Sequence, residues 1–140
     1  MVLETNKVKV KESVKQRIAT IDFWDNGITN LRIEDNVEVT LKDAEEQYEI
    51  LRSRYDGKIK YRILVEPGRY TSISKEARDF STVPERNAMT LANAVVVRSL
   101  AHRIIINFLI NFIRKQNMRM RMFDSKEKGI EWLLALKEEY

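Results

Sequence analysis

The chain has 140 residues, of which 33% are charged and 44% hydrophobic, with a formal net charge of +4 and no cysteine. That length suits one domain with its own hydrophobic core, and the missing thiols exclude disulfides and thiolate chemistry. The opening MVLETNKVKVKESVKQR has no apolar targeting region, and Arg98, His102 and Arg103 interrupt the longest apolar run, leaving it short of the roughly 20 residues that a bilayer helix needs. A cytoplasmic protein without membrane insertion is expected.

Residues 1–16 alternate lysines with isolated valines, and are expected to be a flexible or edge-strand N-terminus. The domain proper is then residues 17–140. Arg17 to Asp25 alternates, with Ala19, Ile21 and Phe23 on one side, and Ile28 to Ile33 comes after Asn26-Gly27. This predicts a β-hairpin closed by a type I′ turn. Val37 to Val39 adds a brief extended piece. Thr40 then opens a helix, with Asp43 completing a capping box and Ala44, Tyr48, Leu51 and Tyr55 on the inward face; Asp56-Gly57 ends it.

Ile59 to Glu66 is predicted as a strand facing the core through Ile59, Tyr61, Ile63 and Val65, and stopped by Pro67-Gly68. Ser74 is placed to cap a short helix over Lys75 to Phe80, and Ser81 to Met89 is expected to be a loop. Leu91 to Ile113 dominates the second half. Ala92 to Val97 lacks polar alternation, as a strand buried on both faces would, and the segment after Ser99 turns helical. Ser99, Arg103, Asn107 and Asn111 form its polar stripe, with a solvent edge as the default reading and an interface, in a homodimer, as the alternative. Met118 to Phe123 alternates as an edge strand, with Met118, Met120 and Met122 on one face. Asp124 or Ser125 caps a last helix whose Ile130, Leu133, Leu134, Trp132 and Leu136 are assigned to the core.

Strand and helix units in this order predict a single α/β domain. Its sheet is mixed and mostly parallel, of four to five strands, with an N-terminal antiparallel hairpin and about four helices. Three phrases then carry a resemblance: Ser72-Ile73-Ser74-Lys75-Glu76-Ala77-Arg78, Ala94-Val95-Val96-Val97-Arg98-Ser99, and Met122 to Lys128 with Glu131-Trp132-Leu133. They resemble the STAS superfamily, the fold of the sporulation anti-sigma-factor antagonists and of the cytoplasmic domain of sulfate transporters. The likeness is to a bacterial branch of uncharacterised STAS-like proteins, and it runs from about Arg17 to the C-terminus.

The resemblance implies a non-enzymatic, regulatory domain acting through protein contacts. In the anti-sigma antagonists a regulatory serine starts the helix after the second parallel-type strand, within Asp-Ser-Ser/Ala-Gly. The matching place here is Thr71 to Ser74, which lacks both that aspartate and that glycine. Thr71, Ser72 and Ser74, with Arg69 and Arg98 as neighbouring cations, are therefore the candidate regulatory or partner contacts. A phosphate there would add about two negative charges at a helix start, whereas the simpler role for Ser74 is a cap.

Other chemistries find little support. His102 is the single histidine, Gly27, Gly57, Gly68 and Gly129 are isolated, and no metal-ligand, cofactor-binding or nucleophile pattern is present. The charged residues from Arg86 to Arg121 are all basic, yet no nucleic-acid-binding motif accompanies them, so a nucleic-acid partner is disfavoured. The alternative to protein contacts is a small apolar or lipid-like ligand held against the methionine face.

Overall fold

The computed structural model describes residues 8–99, 102 and 119–137, without the side chain of Arg86. Six strands form the main sheet in the order β1-β2-β3-β5-β7-β8: β1 Val10–Lys15, β2 Ala19–Trp24, β3 Ile28–Ile33, β5 Tyr61–Glu66, β7 Thr90–Val96 and β8 Met120–Phe123. The first three pair antiparallel, and β3, β5, β7 and β8 pair parallel. Two short strands, β4 Glu38–Val39 and β6 Ser72–Ile73, make a separate parallel ladder. Among the described residues the helices are α1 Leu41–Arg54, α2 Lys75–Phe80, α3 Pro84–Asn87 and α4 Lys126–Ala135. The predicted class therefore holds, with six strands in the main sheet rather than four to five because the lysine-rich N-terminus supplies the edge strand β1. The predicted helix after Ser99 falls almost wholly outside the described residues.

Each face of the sheet has its own core. Ala19, Ile21, Leu31 and Ile63 are buried on one side with Leu51 of α1, while Ile28, Leu64, Ala92, Ala94 and Val96 are buried on the other with Ile130 and Leu133 of α4. The central strand β7 is buried at every position, as a strand covered on both faces must be. A Cβ on Gly129 would lie 3.0 Å from Leu64 Cδ1, so the glycine lets α4 settle directly on the sheet.

Local chemistry decides the element ends. Thr40 Oγ1 accepts from the Asp43 N–H while the Asp43 carboxylate accepts from the Thr40 N–H, completing the expected capping box. Ser74 caps α2 through the Ala77 N–H, and Ser125, not Asp124, caps α4 through the Lys128 N–H. Tyr61 donates its phenol to the Leu51 carbonyl at 2.8 Å, and burial pushes that phenol up to about 12, so it remains a donor at any ordinary pH.

Several expectations are corrected. The hairpin turn is not type I′: Gly27 takes φ +91° and its N–H donates to Trp24 O, while Asn26 has no positive φ and instead accepts from the Ile28 N–H. That is the three-residue loop that closes on a left-handed glycine. Ile59 is 62% exposed because the Asp56 carboxylate takes the Lys58 and Ile59 N–H groups, which delays the ladder until Tyr61. The stretch assigned to a loop contains α3, where Pro84 at the helix start has its φ preset. Leu134 is 43% exposed, one position off the buried line through Ile130 and Leu133.

Asp43 also binds Arg17 at 2.5 Å. Burial works to raise its carboxyl, but the hydrogen bonds from Arg17 and Thr40 outweigh it and hold the group below the usual carboxylate range. A depressed folded-state value means that the stabilisation is complete above the unfolded pKa of about 4 and is lost as pH falls through the folded value. Replacing Asp43→Asn is expected to lower stability by about 1–2 kcal/mol at pH 7. In urea melts that gap should narrow at pH 3; a gap of constant size would show that the carboxylate's charge is not responsible.

Candidate functional site

The carboxyl ends of the parallel strands bring two loops together, and in open α/β sheets that edge is where ligands and partners are commonly met. The loop after β3 and the loop after β5 are stitched by backbone. Asn36 N–H donates to Arg69 O at 2.8 Å, Ser72 N–H to Val37 O and Ser74 N–H to Val39 O, both at 3.0 Å. Side chains add to this: the Arg69 N–H donates to Asp35 Oδ1 at 2.7 Å, and Thr71 Oγ1 reaches both Glu34 O and Gly68 O. His102 Nε2 lies 2.7 Å from the Gly68 carbonyl, which can only accept, so this nitrogen carries a proton and the histidine acts as a tie.

The predicted serine and threonine cluster thus divides into distinct roles. Thr71 is spent on loop carbonyls and Ser74 on its helix cap. Ser72 is exposed on β6, and its hydroxyl has no hydrogen-bond partner among the described residues. Arg69 is exposed next to it. Arg98 turns instead toward Glu66, with 4.0 Å between the charged groups. Arg103, Asn107 and Asn111 lie outside the described residues.

Two features here escape a reading of the sequence. Tyr70 stands 70% exposed with φ +60°, a backbone region that bulky residues rarely occupy. The one signal for it is position: an aromatic residue two places after Pro67-Gly68 belongs to a turn, not a core. The second is a polar network on the α4 side of the sheet. Asn30, only 1% exposed, donates to Leu64 O at 3.2 Å and to Glu66 Oε2 at 3.0 Å. Glu66 also faces Lys126 at 3.4 Å, and Lys126 sits over the Trp24 ring. One strand further out, Asp22 accepts from Arg32 at 2.6 Å and from Ser13 at 2.5 Å. Each carboxylate of this network meets a cation, and no group of three or more metal-ligating side chains occurs among the described residues.

A family model described as "Domain of unknown function (DUF7793)" matches residues 23–137. The chain belongs to this family. The DUF7793 domain is also similar in structure to an uncharacterised protein of the DUF3478 family from Shewanella loihica PV-4, described as having a SpoIIAA-like fold. The two share 14% identity, with a TM-score of 0.56 over 90% of this chain and 93% of the other. At that identity the likeness shows the fold alone, which is SpoIIAA-like. No curated protein matches the chain. Among the described residues, no helix is long and apolar enough to cross a membrane.

Gly68 holds the two loops of this domain in register. A Cβ there would stand 2.2 Å from Glu34 O and 2.6 Å from Ile33 O, both backbone atoms in the strand-end region. Gly68→Ala is expected to destabilise the fold by about 2–3 kcal/mol, read as a lower urea midpoint with unchanged slope. An unchanged midpoint would mean that the loops separate easily and do not form a fixed surface.

Proposed function

We propose that this STAS-like domain is non-enzymatic and regulatory, and that it acts through protein contacts made by the loop from Arg69 to Ser74. The observation that carries the reading is Tyr70, a large aromatic side chain offered to solvent on a backbone that disfavours it. Left-handed φ at a bulky residue costs about 1 kcal/mol or more, and such strain persists where the surroundings impose it and the position serves a purpose. Tyrosine and arginine are also the side chains that most often dominate protein interfaces, because each buries a large area and keeps a polar tip. Arg69 and Tyr70 stand together here, beside the free Ser72 hydroxyl.

A modified Ser72 would place its charge beside Arg69 without breaking a cap, which Ser74 could not do. Phosphorylation, if it regulates this surface, therefore acts at Ser72 in this reading. Non-enzymatic action is supported by the pairing of Asp22 with Arg32 and of Glu66 with Lys126, which leaves those carboxylates engaged in structure. The second reading, an apolar ligand on the methionine face, has less behind it: Met120 and Met122 pack against Val95, Val97 and Val65 as ordinary core.

Asparagine tolerates left-handed φ better than tyrosine. Tyr70→Asn is therefore expected to leave stability unchanged or raise it by up to about 1 kcal/mol, while lowering capture of the native partner at least about tenfold. Affinity capture from cells of the source organism, wild type against variant, with mass spectrometry, checks both halves when combined with thermal melts. A partner captured equally by Tyr70→Asn and by Ser72→Glu sinks the assignment of this loop.

A further inference from the structure

At the opposite end of the parallel strands, a cleft of about 520 Å³ opens between the hairpin tip and the segment that leaves α1. The strands between it and the loop surface are six residues long, a separation of about 17–20 Å. Its walls include Phe23, Trp24, Tyr55 and Tyr61, with Ile59 exposed at the rim. Tyr61 stands at the centre of the aromatic group, with ring centroids 5.8 Å from Tyr55 and 6.3 Å from Phe23. The volume falls in the range of small-molecule sites, and walls of this kind suit a flat, apolar guest.

The charges of the lining give the guest a sign. Arg54 is occupied by a two-pronged bond to Glu12, both contacts at 2.8 Å, and its guanidinium lies 5.7 Å from the Phe23 centroid. Asp56 is occupied by two backbone N–H groups. Lys11 and Lys60 also line the cleft, and among the described residues neither has an ion-pair partner. Two free ammonium groups beside an aromatic wall match a flat ring that bears a carboxylate. A second cleft, about 590 Å³ near the start of α1, sets the bases Lys15, Arg17 and Lys42 against the acids Glu38, Asp43 and Glu46 and has no aromatic wall.

We propose that this cleft is a binding site for a small aromatic carboxylate, its ring against Tyr61, Phe23 and Tyr55 and its anion toward Lys11 and Lys60. The site is independent of the loop surface and stands or falls separately from it.

Phenylacetate is the probe and phenylacetamide its neutral control. Binding is read on the wild-type chain by calorimetric titration, with NMR shifts of the Phe23, Tyr55 and Tyr61 ring protons locating the ligand. Phenylacetate should bind saturably with a dissociation constant near or below about 1 mM, in keeping with some ten ligand atoms, and should shift those ring protons. The amide should bind at least about fivefold more weakly. The double variant Lys11→Gln, Lys60→Gln changes exposed or half-buried lysines and should keep its melting temperature while abolishing the preference for the acid. A signal that grows linearly to about 10 mM without saturating, or equal binding of acid and amide, overturns the proposal.

Discussion

The candidate surface depends on one close approach, that of the Gly68 backbone to the carbonyls of Ile33 and Glu34. Parallel pairing of β3 with β5 brings the two strand ends side by side, but it does not by itself fix the path of the chain beyond them. With no side chain at position 68, the exits can touch, and the β4-β6 ladder then forms because Glu38 and Ser72 arrive in register. Ser74 is placed by the last bond of that ladder and caps α2. The strained Tyr70 is a consequence of the same geometry, since Arg69 is held on both its N–H and its carbonyl and Thr71 is held by its hydroxyl. The residue between them has little freedom left.

Charge is handled in a similar way at three places. Asp22, Asp43 and Glu66 keep side-chain exposures of 11%, 8% and 16%, and each meets a cation, Arg32, Arg17 and Lys126, that is itself more exposed. The acid is anchored near the sheet and the base reaches in from outside, so the carboxylate avoids an unpaired burial while the long side chain keeps part of its hydration. The order is particular to these three sites, since in the pair of Arg54 with Glu12 the base is the less exposed partner, 33% against 48%.

Legibility in the sequence is governed by distance along the chain. The caps at Thr40, Ser74 and Ser125 involve partners three residues away, and each is visible as a short pattern. The hairpin and the fully buried β7 are visible through periodicity. Periodicity assigns a face and not a depth, which is why it puts Ile59 and Leu134 in the core though both are open to water. The Asn30 to Glu66 bond joins residues 36 apart, and only the register of β3 on β5 brings them together. Parallel topology alone sets Arg98 near Ser72, whereas the alternation of side chains along β5 puts Glu66 on the α4 face and draws the arginine there.

The two ends of the sheet differ in what their backbones have left to give. At the carboxyl ends of β3 and β5 the loop N–H and carbonyl groups are largely consumed in stitching one loop to the other, so the groups left open to solvent are side chains: Arg69, Tyr70 and Ser72. Such a surface is rigid and suited to a preformed partner, with little ordering entropy to lose on contact. At the amino ends the end of α1 is tied to the sheet by side-chain rather than backbone bonds, notably Arg54 to Glu12 of the edge strand β1 across 42 residues. Bonds of that kind leave space between the elements, and the aromatic cleft is that space. A fold that spends its backbone at one end and its side chains at the other thus carries a closed loop surface at the first, the one proposed for a protein partner, and an open cleft at the second, the one proposed for a small molecule.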